Sequence, residues 1–400
     1  MKSYILRPHY LAKISPFINQ PLIKVIVGQR RVGKSYLLLQ LIDHIRQQYP
    51  DANIIYINKE LYEFDSIKDY HDLIRYISVK TQADNPNYVF IDEIQDIREF
   101  EKAIRSLQSD GNYDIYITGS NANLLSGELA TLLSGRYIEF TVYSLSYPEF
   151  LKFHKYDNTN DTLMKYIKFG GLPYLIHLEL TEDIIYDYLQ SIYNSILLKD
   201  IVARYQVRNV NFLENLVRFL ADNIGNLTTA KRISDFLKNQ KINMSPNIIL
   251  NYLSNLISSN IILKASRLNI EGRKIFEISE KYYFEDLGLR HTLVGYRQSA
   301  INQVYENLVY NHLIVNGYKV YIGQLSNREI DFVAEKGNDR LYVQTTYLIP
   351  NKQVWEREFG NLLTIKDNFP KFVVSNDESA GGSEKGIEHL HIRDFLTRTW

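Results

Sequence analysis

Five short, almost unbroken runs of apolar and β-branched residues punctuate the first part of the chain. They are Leu22 to Val27 (LIKVIV), Asn53 to Ile57 (NIIYI), Tyr88 to Asp92 (YVFID), Asp114 to Thr118 (DIYIT) and Tyr137 to Tyr143 (YIEFTVY). A strand with one face in water alternates apolar and polar side chains, whereas a strand covered on both faces has no polar positions to spare. The runs therefore predict an α/β fold: a parallel sheet with helices on both faces. From Tyr147 to Lys264 the apolar spacing becomes three-and-four, as at Ile184, Tyr188, Ile192 and Ile196. That spacing predicts an α-rich second domain, interrupted by a turn at Phe169 to Pro173 (FGGLP). After Ser299 come a helix (Val304 to Asn316), the short strands KVYIG, EIDFVAE and RLYVQTTY, a further helix and KFVVS, predicting a small third α/β domain. The predicted boundaries are 1–155, 156–296 and 297–400.

Composition narrows the classes. Lys plus Arg (46) balance Asp plus Glu (46), so no global field draws the chain to nucleic acid or anionic lipid. Cysteine is absent, which removes disulfides, thiolate nucleophiles and Cys-ligated metals and suits a reducing, cytoplasmic setting. No apolar run approaches the roughly 18 to 20 residues that span a bilayer, and no continuous leader segment opens the sequence. The expectation is a soluble protein with no membrane partner.

Gly28-Gln29-Arg30-Arg31-Val32-Gly33-Lys34-Ser35 fits G-x-x-x-x-G-K-[ST] and lies between the run LIKVIV and a helix beginning at Lys34. Glycines let successive backbone N–H groups wrap a phosphate, and the helix N-terminus adds positive potential. Lys34 reaches the β and γ phosphates, and Ser35 ligates Mg²⁺. ATP and Mg²⁺ are thus the expected ligands. The strand Tyr88 to Asp92 ends in adjacent acids. Asp92 is placed to hold Mg²⁺, and Glu93 to orient or deprotonate an attacking water, which favours hydrolysis over nucleotide storage. After the fourth run, Ser120 and Asn121 are candidates for contact with the γ-phosphate or its water.

These residues resemble an ATPase of the AAA+ class, in a bacterial and archaeal branch with a characteristic C-terminal module. The similarity rests on the phosphate loop Gly28 to Ser35, Asp92 to Gln95 (DEIQ), Thr118 to Ser120 (TGS) and the stretch Leu124 to Arg136. It extends to Gly170 to Pro173, Lys199-Asp200-Ile201, Tyr282 to Arg290 (YYFEDLGLR) and Glu306 to Tyr310 (ENLVY). The resemblance implies that Arg136 supplies positive charge at the γ-phosphate, in its own chain or a neighbouring copy.

Residues 226–264 look like a winged helix, with a helix from Thr229, a second from Pro246 to Ser258, and IILKA and KIFEIS as a two-stranded wing. Pro246 to Ser259 carries no Lys or Arg, so a packing or regulatory role is expected over DNA reading. Lys231, Arg232, Lys238 and Lys241 form at most a modest phosphate patch. The third domain resembles the PD-(D/E)XK nuclease core through Glu306, Glu329 and Asp331. Gln344-Thr345-Thr346 stands where that core has acid-x-Lys, so an inactive nuclease fold is expected. His389 and His391 are read as structural. The leading expectation is an ATP-hydrolysing switch controlling a partner protein, a second copy or nucleic acid. The competing readings are an ATP-regulated DNA-binding or DNA-cleaving protein and, behind it, a small-molecule kinase.

Overall fold

A computed structural model of the chain describes residues 4–120, 135–239, 242–272, 274–398 and 400. Two compact units emerge: Met1–Ser144 with Ser258–Asn260, and Leu145–Ile257 with Ile261–Trp400.

The first unit is built on β1 (Ile23–Val27), β2 (Asn53–Asn58), β3 (Asn87–Asp92), β4 (Tyr113–Gly119) and β5 (Tyr137–Thr141). All neighbours are parallel, in the order β2-β3-β4-β1-β5. Every residue of β1 and β3 is buried, the physical reason these runs contain so few polar side chains. Val25, Val89, Ile91, Ile115 and Ile117 share one core with the helices Tyr70–Lys80 and Phe100–Asp110, which contribute Leu73, Ile77, Ala103, Ile104 and Leu107. Helix Lys34–Gln48 buries Leu37, Leu38, Leu41 and Ile45 and packs against β3 and β4. The one charge inside β1, Lys24, is fully buried because Asp114 of β4 and the Gln20 carbonyl accept from its ammonium. Parallel register brings the carboxyl ends of the strands to one edge, Val27 beside Gly119 and Asn58 beside Asp92. The loops leaving that edge form the candidate site.

The second unit combines helices with an eight-stranded mixed sheet ordered β12-β13-β11-β10-β9-β8-β6-β7. Its strands are β6 (Ile262–Asn269), β7 (Lys274–Phe284), β8 (Lys319–Leu325), β9 (Arg328–Lys336), β10 (Asp339–Thr345), β11 (Lys371–Ser375), β12 (Ser383–Glu384) and β13 (Ile387–His391). The hairpin expected as a wing forms from β6 and β7, but β6 spends its second edge on β8, Arg267 lying beside Ile322. The sheet is therefore continuous across position 296. On helix Glu182–Ser195 the buried stripe is Ile185, Leu189 and Ile192, and Ile184 points outward at 42% exposure, one position off the expected phase. The FGGLP turn is explained by Asp286. A Cβ at Gly170 would fall 2.2 Å from that carboxylate, which accepts from the Gly171 N–H at 2.8 Å and caps helix Leu287–Val294 through Leu289.

Candidate functional site

At the end of β1 the backbone takes positive φ at Gly28 (150°), Arg31 (65°) and Gly33 (96°), a tight winding that feeds helix Lys34–Gln48. Gly28 has no space for a side chain, since a Cβ would sit 2.2 Å from the Val142 carbonyl oxygen. Lys34 is buried, and its Nζ donates to the carbonyls of Gly28 (2.9 Å) and Gln29 (3.0 Å) and stands 3.9 Å from the Glu93 carboxylate. Arg30 reaches Glu60 at 3.8 Å. Val32 is fully buried, and its carbonyl accepts from the guanidinium of Arg7 at 3.0 Å. The same guanidinium donates to the Tyr143 carbonyl at 3.0 Å, so Arg7 braces the loop from behind.

Asp92, the last residue of β3, is fully buried. Burial pushes its carboxyl above the usual range, opposed by the hydroxyls of Ser35 and Thr118. Thr118 Oγ1 donates to Asp92 Oδ1 and accepts from the Glu93 N–H at 3.0 Å, tying the two acids to β4. Glu93 is left-handed (φ 57°), buried, and accepts from Gln95 Nε2. Ser120 is buried just past Gly119, the neighbour of Val27. Gly28 to Ser35, Asp92, Glu93 and Ser120 thus lie along one sheet edge.

Arg136 does not join them. It is exposed and precedes β5, whose Tyr137 pairs with Ile23 at the start of β1. Four residue steps along β1 separate that edge from Val27, about 13 Å at the usual rise. The parallel register puts Arg136 at the sheet edge opposite the phosphate loop of its own chain. Asn121, Lys241 and residues 124–134 of the leucine-rich stretch lie outside the described residues.

Buried polar atoms with no hydrogen-bond partner among the described residues gather around the loop: both amide atoms of Gln29, Asp92 Oδ2 and Gln95 Oε1. Such orphans cost about 1 to 3 kcal/mol each and call for a polar ligand. A buried carboxylate oxygen beside a serine hydroxyl is a hard-oxygen donor set suited to Mg²⁺, which takes one or two protein ligands and completes its shell with phosphate and water. These residues fit a nucleoside triphosphate with its metal.

A second charged constellation lies in the other unit. Lys281 of β7 is buried, 2.9 Å from Glu306 and 2.8 Å from Glu329. Asp331 is pushed well above the carboxylate range by burial and by Glu306, against the pull of Lys281. Gln344 donates to Glu358 at 2.9 Å and accepts from the Asp331 N–H at 2.6 Å. The sequence offered no cation at Thr346; the structure supplies one from a strand far upstream. Among the described residues no group of three His, Cys, Asp or Glu side chains has metal-holding geometry. Arg7, Lys281 and the roles of Thr118 and Gln95 escaped sequence reasoning. Thr118 and Gln95 were visible only as motif letters, and Arg7 and Lys281 carried no local signal. His389 is held by the Ser375 hydroxyl at 2.8 Å.

A phosphate loop after β1, acids at the end of β3 and a five-stranded parallel sheet define a P-loop ATPase fold of the AAA type. The model of the AAA domain matches residues 20–151, and that of a domain of unknown function matches residues 160–300. An uncharacterized protein of Haemophilus influenzae is 38% identical over 99% of this chain and 99% of its own length. One of Methanocaldococcus jannaschii is 30% identical over 93% of this chain and 85% of its own. The chain belongs to the family of these proteins, an AAA-like P-loop ATPase family. A solved structure, the Walker-type ATPase of Pyrococcus abyssi, shares the fold with a TM-score of 0.52 and 17% identity, covering 73% of this chain and 96% of that one. No described helix is long and apolar enough to cross a membrane.

Proposed function

We propose that the chain binds ATP at Gly28 to Ser35 and hydrolyses it, acting as a nucleotide-controlled switch whose output lies in residues 156–296 and 297–400. The observation that carries the reading is the concentration of orphaned buried polar atoms, at Gln29, Asp92 and Gln95, around a glycine-built loop. Lys34 leaves the Gly28 and Gln29 carbonyls for the β and γ phosphates, and Glu93, released from its 3.9 Å contact with Lys34, accepts the water proton. The water oxygen bonds to the γ-phosphorus, the bond to the bridging oxygen breaks and ADP departs. Ser35 and Asp92 would hold Mg²⁺, which when bound would supply neutralisation of developing phosphate charge. Arg136, remote from its own loop, acts on a neighbouring copy, and Ser120 meets the γ-phosphate side. For the output, a protein partner is favoured over DNA by helix Pro246–Ser258, which exposes Ile248 and Leu250.

The test is phosphate release by the full chain at several protein concentrations. Release should require Mg²⁺, rise per chain with concentration, and fall by about 10² to 10⁴ in Glu93→Gln with ATP still bound. Ordinary turnover by Glu93→Gln would contradict the assignment.

A further inference from the structure

The turn that follows β3 carries two energetic costs within three residues. Glu93 is a non-glycine residue held left-handed at φ 57° and ψ 51°, and Gln95 has a buried amide oxygen with no partner among the described residues. Both are unfavourable in the absence of a compensating contact. Neither is needed to close the turn, which the Asp96 N–H to Glu93 carbonyl bond at 3.1 Å already does, with Ile94 buried as its anchor. Across this turn Gln95 Nε2 donates to Glu93 Oε2. Glu93 is then held from three sides: the Thr118 hydroxyl on its N–H, Lys34 near one carboxylate oxygen and Gln95 on the other.

A glutamine serving only as a prop for Glu93 gains nothing by leaving its own oxygen buried and unpaired. An amide whose nitrogen fixes the base and whose oxygen stands ready beside it has the donor and acceptor pattern that orients a water: one water hydrogen to the amide oxygen, the other to the carboxylate. We propose that Gln95 is a catalytic residue, its Oε1 accepting from the attacking water while its Nε2 holds Glu93. In the step, the water oxygen bonds to the γ-phosphorus as the bond to the bridging oxygen breaks and ADP leaves, the hydrogen facing Glu93 moves to that carboxylate, and the hydrogen on Gln95 stays with the new phosphate. Gln95 neither gains nor loses a proton. This inference rests on the reading that Glu93 activates water for ATP hydrolysis.

The experiment measures kcat and KM, with Mg·ATP affinity by titration, for the full-length wild type, Glu93→Gln, Gln95→Ala and the near-isosteric Gln95→Glu. Gln95→Ala should lower kcat about tenfold to a hundredfold and leave Mg·ATP affinity within about twofold, because the side chain meets the water and not the phosphates. Gln95→Glu loses the amide donor that holds Glu93, so kcat should fall as in the alanine variant with Mg·ATP affinity again within about twofold. If the alanine variant fails to fold, the loss of kcat at unchanged affinity in the glutamate variant still decides. Unchanged kcat in the Gln95 variants, with Glu93→Gln inactive, overturns the role of Gln95. A wild type that binds Mg·ATP and releases no phosphate overturns the underlying reading, and this inference with it.

Discussion

Gly28 is the residue on which the phosphate loop turns. Its φ of 150° disfavours any side chain, and the Val142 carbonyl oxygen occupies the space a Cβ would need. Gly28→Ala must push the loop off β5's exit segment or distort it. The expected result is a loss of about 1 to 3 kcal/mol of stability together with a large loss of ATP affinity, read by thermal melting and nucleotide titration. An alanine variant that binds ATP like the wild type would show that the loop tolerates the shift. Behind the loop, Arg7 performs a task that no spacing rule announces. It holds the Val32 and Tyr143 carbonyls from the far N-terminus, and the pairing exists only once helix Pro8–Ile14 has docked. Lys24 is the same lesson in β1. A lysine inside an apolar run reads as an interruption until Asp114 of β4 accepts from its ammonium.

At the scale of elements, the parallel sheet was legible because burial on both faces forces its strands to be continuously apolar, and because the phosphate-loop pattern fixes which strand precedes it. The mixed sheet was only partly legible. Its strands announce themselves, but the joining of β6 to β8 depends on an edge pairing between segments some fifty residues apart, which no local pattern encodes. The same holds for Lys281, carried on β7 into the carboxylates of the helix Ile301–Val315 and β9. Lys281→Met would leave Glu306 and Asp331 repelling each other in a buried site. Removing one partner of such a pair costs about 3 to 5 kcal/mol. Both tryptophans, Trp355 and Trp400, lie in this unit, so denaturant unfolding followed by their fluorescence reads its stability directly. An unaltered midpoint would reduce Lys281 to a surface-like charge.

At the scale of the molecule, the sequence-level motifs fall into both compact units. The phosphate loop, the paired acids and Ser120 occupy the first, and the Asp286 turn lock and the Lys281 cluster occupy the second. Balanced overall charge leaves recognition to local chemistry, and the most demanding local chemistry is the set of unpartnered buried atoms at Gln29, Asp92 and Gln95. In the proposed function a magnesium-bound triphosphate satisfies them, gripped by Lys34. Calorimetric titration of the full chain with ATP, with and without Mg²⁺, beside the Lys34→Ala variant, tests it most directly. Binding should be saturable, strengthen with Mg²⁺ and disappear in Lys34→Ala. Equal binding by both proteins, or none by the wild type, would contradict it.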